Sequence, residues 1–85
     1  MKIKQSELKQ ARDRLARMQG QINGIIKMID EGRDCDELLT QLAAANTALQ
    51  RAGFTIVSAA MAKCAKEPSD SPNRKALEKA FMALV

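Results

Sequence analysis

The sequence predicts an all-α fold, and three observations predict it. Apolar residues recur at steps of three and four over long stretches, no segment carries the alternation of a strand, and the core vocabulary is Leu, Ile, Ala and Met with only Phe54 and Phe81 as aromatics. At 85 residues the chain supports one domain whose core is marginal alone, so assembly with further copies is expected.

Helix one is expected from about residue 6 to 31. Leu8, Ala11, Leu15, Met18, Ile22, Ile25 and Ile29 form a heptad-like seam, with Ser6 as candidate N-cap and Gly32 as the residue beyond the C-terminus. Helix two is expected from about 34 to 65. Asp34-Cys35-Asp36-Glu37 resembles a capping box, and the seam runs on through Leu38, Leu42, Ala45, Leu49, Ile56 and Ala60, with a slight bend at Gly53. Pro68 and Pro72 break the pattern, and residues 73 to 84 read as a short, peripheral third helix. Gly20 and Gly24 form a G-x-x-x-G spacing, read as close helix packing.

Cys35 and Cys64 are the only cysteines. On one helix, 29 residues apart, they lie about 43 Å from each other and, at about 100° per residue, on nearly the same face. They cannot meet within a chain. Antiparallel pairing of helix two with its copy, crossing near Leu49 and Gln50, would bring Cys35 of each chain to Cys64 of the other. The plainer alternative is two small apolar residues on one helix by chance.

Charge is uneven. Residues 1–27 carry seven basic against two acidic side chains, residues 28–50 one against five, and residues 51–85 six against three, for a net +4. Gln10, Arg14, Arg17 and Gln21 form a row on helix one, which Arg51 could extend, offering donors to phosphates and base edges. An ordinary solvated face is the alternative. Helix-turn-helix geometry is excluded by the length of the two main helices. With no histidine and no phosphate-cradling glycine loop, an enzyme is disfavoured. No cofactor is implied. The start Met1-Lys2-Ile3-Lys4-Gln5 has no apolar h-region and no apolar run suits a membrane span, which reads as a cytoplasmic protein with reactive or ligating thiols.

Three stretches carry a resemblance: Arg14-Leu15-Ala16-Arg17-Met18-Gln19-Gly20-Gln21-Ile22-Asn23-Gly24-Ile25, then Met28-Ile29-Asp30-Glu31-Gly32-Arg33-Asp34-Cys35, and Gln41-Leu42-Ala43-Ala44. Over residues 8 to 65 the chain resembles the copper-sensitive operon repressor family, CsoR/RcnR/FrmR. The resemblance implies an all-helical repressor in which helices one and two of two chains form an antiparallel four-helix bundle, and two dimers a flat homotetramer that binds operator DNA through basic helical surfaces. Members sense copper, nickel or cobalt, formaldehyde, or reactive sulfur species. In copper sensors the two cysteines are joined by a His one turn before the second; here that residue is Ala60. Without any histidine, the nickel and cobalt branch is disfavoured. Formaldehyde sensors lack the second thiol. The remaining branch is similar to CstR, the CsoR-like sulfurtransferase repressor.

That likeness implies a sensor of persulfides or polysulfides, with Cys35 and Cys64 as the sulfur-sensing pair and Arg14, Arg17 and Arg51 as DNA contacts. Cys35 is the expected attacking thiol, at a helix end whose dipole favours an anion but whose neighbours Asp34, Asp36 and Glu37 oppose one. Cys64, between Lys63 and Lys66, is the expected resolving thiol. Two alternatives stand: a Cu(I) sensor using Cys35 and Cys64 as a two-thiolate site, and a helical interaction module without DNA binding.

Overall fold

A computed structural model describes residues 1–85. A 3-10 turn at Gln5–Leu8 leads into helix α1 (Lys9–Asp30), followed by α2 (Cys35–Cys64) and α3 (Pro72–Leu84), with no strand. The all-α, three-helix class expected from the periodicity is what the chain adopts.

The corner between α1 and α2 follows from one glycine. Gly32 takes φ +71°, the left-handed region where a side chain is costly. Its N–H donates to the Ile29 carbonyl and that of Arg33 to the Met28 carbonyl, both at 3.0 Å. This Schellman pair satisfies the last carbonyls of α1 and reverses the chain. α1 and α2 therefore run antiparallel, and Arg14, Arg17 and Gln21 of α1 line one cleft with Ala48 and Arg51 of α2.

Helix starts differ from expectation. Ser6 lies inside the 3-10 turn, and α1 proper begins at Lys9 without a side-chain cap. Asp34 does occupy the N-cap of α2 but makes no cap hydrogen bond. The capping box fails because Glu37 is taken by Arg33, whose Nε donates to Glu37 Oε2 at 2.9 Å. α3 starts one residue earlier than expected, at Pro72, with Ser71 as a true cap accepting from the Arg74 N–H at 3.2 Å.

The seam splits into two rows. Ala11 and Met18 on α1, and Ala45, Ala52 and Ala60 on α2, are buried inside the hairpin. The other row, seven residues apart on each helix, stays open: Leu15, Ile22 and Ile29, and Leu42, Leu49 and Ile56, are 36–58% exposed. The molecule is a plate of 53 × 25 × 13 Å with a radius of gyration of 16.5 Å, against about 12 Å for a compact chain of this length. Its surface is 6583 Å², where a compact protein of this mass exposes about 5000 Å². No helix is long and apolar enough to cross a membrane.

α3 packs on α2 and leaves α1 untouched. Phe81 meets Phe54 at 6.1 Å between ring centroids, tilted by 47°. Gly53, expected to bend α2, has a different role: a Cβ there would sit 2.9 Å from both Leu84 methyl carbons. Gly20 and Gly24 have nothing within 4 Å of an added Cβ, so within the chain they make no close helix contact. The two glycine sites thus separate by what faces them. Gly53→Ala is expected near neutral, since about 1 kcal/mol of helix propensity offsets displacement of a mobile Leu84 end. Gly53→Val should cost about 1–3 kcal/mol by overpacking, read as a lower urea midpoint; an unchanged midpoint would show that α3 does not dock at Gly53.

Candidate functional site

Two groups of side chains stand out, one at the ends of α2 and one across its middle. α2 is a single 30-residue helix whose first and last residues are the two cysteines. At about 1.5 Å per residue they are about 43 Å apart, and both thiols are free.

Their surroundings are opposite. Cys35 is exposed, in a first turn with Asp36 and Glu37. Arg33 partly neutralises this acidic end, reaching Glu37 at 2.9 Å and Glu31 at 3.8 Å; its hydrogen bond and charge pairing with Glu37 hold the guanidinium above its ordinary value. Cys64 is 2% exposed. Its Sγ lies 3.1 Å from Met1 Sδ, because the amino-terminal turn packs against α2. Burial first, then the negative charge of Glu67, pushes the Cys64 thiol above its ordinary value; Arg74 and the terminal ammonium pull weakly the other way. Lys63 and Lys66, the neighbours in sequence, are not among the charges that act on it.

Glu67 also holds the corner after α2. Its carboxylate accepts from Asn73 Nδ2 at 3.2 and 3.3 Å, and its carbonyl accepts from Arg74 Nη1 at 3.0 Å. Met1, Glu67 and Arg74 were not legible as parts of this site. They reach Cys64 only through the folding-back of the amino terminus and the corner before α3.

One consequence is measurable. Iodoacetamide near neutral pH should modify Cys35 well before Cys64, because each unit by which a thiol is raised lowers its thiolate fraction about tenfold, and burial adds to that. The folded state holds the Cys64 proton more tightly than the unfolded chain does, so this contribution to stability is present below the ordinary thiol value and lost as pH rises through the raised one. Equal labelling rates in native buffer, rather than only in denaturant, would contradict the burial.

The second group is basic. Arg14, Arg17 and Gln21 from α1, with Ala48 and Arg51 from α2, line an open cleft of ≈ 340 Å³. Arg14, Arg17 and Gln21 of the helix-one row and Arg51 are thus brought together; Gln10 is left outside the cleft, and Ala48 is its one apolar lining residue. The ion pairs of the chain join Lys9 and Arg12 to Asp13, and Arg33 to Glu31 and Glu37. None involves Arg14, Arg17 or Arg51, so three guanidinium groups converge with no carboxylate to neutralise them. Planar forks in such a cleft suit bidentate contact with phosphate oxygens. Within one chain no cluster of three or more His, Cys, Asp or Glu side chains could hold a metal ion.

A family model described as metal-sensitive transcriptional repressor matches residues 7–85. The copper-sensing transcriptional repressor RicR of Mycobacterium tuberculosis is 35% identical over 51 residues, covering 60% of this chain and 53% of RicR. YrkD, an uncharacterized protein of Bacillus subtilis, is 45% identical over 40 residues, covering 47% of this chain and 64% of YrkD. The chain therefore spans between half and two thirds of these relatives. Among solved structures, the nickel-responsive transcriptional regulator InrS superposes with a TM-score of 0.73 at 30% identity, over 91% of both chains.

Proposed function

The chain belongs to the metal-sensitive transcriptional repressor family, and on that premise we propose a CstR-like repressor that reactive sulfur species release from its operator through paired Cys35 and Cys64 of neighbouring copies. A regulator rather than an enzyme is what the family match gives.

The observation that carries the sulfur reading is a donor set of two thiols and no histidine, one thiol exposed and one buried, on one helix too long for them to meet. The open rows Leu15, Ile22, Ile29 and Leu42, Leu49, Ile56 supply the apolar face on which a second copy would close, with its α2 antiparallel across Leu49. Two such dimers would make the homotetramer. Cys35, reachable from solvent, takes the first step: its thiolate attacks the sulfane sulfur of a persulfide, forming Cys35–S–SH and displacing the donor's thiolate. Cys64 of the other chain, as its thiolate, then attacks Cys35 Sγ and expels the outer sulfur as HS⁻, leaving a disulfide. If two sulfurs have been loaded, attack on the inner added one expels HS⁻ and leaves a trisulfide. Joining opposite ends of two α2 helices changes the relative placement of the two arginine clefts, and an inducer acts by favouring the arrangement that fits DNA less well. In this reading Arg14, Arg17 and Arg51 would contact the operator, and the protein would work in the cytoplasm.

A second reading has its own support. RicR is a copper-sensing repressor, and Cu(I) is soft enough to be held by two thiolates, here Cys35 and Cys64. The nickel response named for InrS is not carried over, because this chain has no histidine to supply nitrogen ligands. Intact-mass measurement of reduced protein treated separately with polysulfide and with Cu(I), each followed by operator mobility shift, separates the readings. Covalent dimers and DNA release with polysulfide alone support the sulfur sensor. Stoichiometric release by Cu(I), with polysulfide leaving the complex intact, replaces it with the copper sensor. Absence of operator binding by the reduced protein would leave an interaction module.

A further inference from the structure

The amino terminus brings a second sulfur to Cys64. Met1 Sδ lies 3.1 Å from Cys64 Sγ across 63 residues of sequence. The two sulfurs differ in freedom: Cys64 is 2% exposed and fixed at the end of α2, whereas Met1 is 53% exposed on an unbranched side chain. No imidazole competes for the position, since Ala60, one turn earlier on α2, is buried and carries no ligand atom and the chain has no histidine.

We propose that Met1 Sδ is a thioether ligand which, with Cys64 Sγ, binds a soft monovalent metal ion, Cu(I) in particular. The inference rests on the Cu(I) reading of the cysteine pair and extends it with a neutral third donor in a chain without imidazole. Thiolate and thioether together select Cu(I) over harder divalent ions. On binding, the Cys64 thiol passes its proton to solvent, each sulfur gives one lone pair to the metal, and copper remains Cu(I), so no oxidant or reductant is needed. Metal–sulfur bonds of about 2.3 Å hold two sulfurs of a trigonal site about 4 Å apart. Met1 therefore swings outward by about 1 Å, a movement its exposed side chain permits, and the third position is left for Cys35 of a second copy.

Anaerobic competition of the full reduced chain with a chromophoric Cu(I) chelator such as bathocuproine disulfonate tests this. The variants are Met1→Leu, obtained by release from a cleavable amino-terminal fusion, and Cys64→Ser. Met1→Leu is expected to retain wild-type helicity while weakening Cu(I) binding about 10- to 100-fold, and X-ray absorption should show one sulfur fewer around the metal. Cys64→Ser should weaken binding further. If Met1→Leu binds Cu(I) as tightly as wild type, while Cys64→Ser does not, the thioether ligand is refuted and the two-thiolate reading survives. If wild type binds no better than Cys64→Ser, both fall, and crosslinking by polysulfide remains to be judged on its own result.

Discussion

Replacing Arg14 or Arg51 with Ala is expected to weaken operator binding by about 1–3 kcal/mol, roughly ten- to a hundredfold, with the helical fold intact. The two guanidiniums come from different helices into one cleft, and neither is engaged by a carboxylate of its own chain. Nothing internal is lost when they are removed, so the effect should fall on the ligand. The double variant should approach non-specific affinity. Salt dependence separates two kinds of contact: a lost phosphate contact lowers the slope of log affinity against log salt by about 1, whereas a lost base contact relaxes sequence preference at nearly constant slope. Arg17, on the same cleft but fully on the α1 side, provides a third measurement by mobility shift at fixed salt. Unchanged affinity in both Arg14→Ala and Arg51→Ala would move the DNA surface elsewhere.

Polysulfide treatment of reduced protein is expected to convert monomer mass to covalent dimer mass nearly completely, with added mass in whole sulfur atoms. Peptide mapping should place each bridge between Cys35 of one chain and Cys64 of another. The variants should be unequal. Cys64→Ser leaves exposed Cys35 able to accept sulfur, giving a persulfide without a crosslink. Cys35→Ser removes the accessible thiol and leaves only one that is 2% exposed and pushed toward the neutral form, so the response should be lost. Equal behaviour of the two variants would overturn the order of attack, and bridges between like cysteines would overturn the antiparallel pairing.

Legibility of the fold followed the range of the interactions. The α1 seam and the Gly32 corner were readable because both are local: a period of three and four, and one positive φ with two backbone hydrogen bonds behind it. The cap of α2 is not legible because Glu37 has two possible partners, and Arg33, four residues away, captures it. Ala52, fully buried, does not stand out in the seam, since an alanine gives little hydrophobic signal of its own. Gly53 looked like a bend because Leu84, the side chain that needs its space, lies 31 positions later. The arginine cleft was half readable: the spacing of Arg14, Arg17 and Gln21 is local, while the arrival of Arg51 depends on the hairpin register. The thioether on Cys64 was not readable at all, because nothing near residue 64 announces a contact with residue 1.

The thinness of the plate reaches beyond its shape. A lone chain exposes about a third more surface than a compact protein of its mass, and only six of its 85 residues are buried, so in the proposed dimer most of its protection against unfolding would come from the copy that covers its open rows. Protein supply then becomes a control variable. Below the dissociation constant for pairing, the number of dimers varies about as the square of the number of chains, so halving synthesis would leave about a quarter of the dimers. Unpaired chains would meanwhile be the form most open to proteases. Repression by such a chain would accordingly respond to its own dosage as a threshold, before any inducer is present.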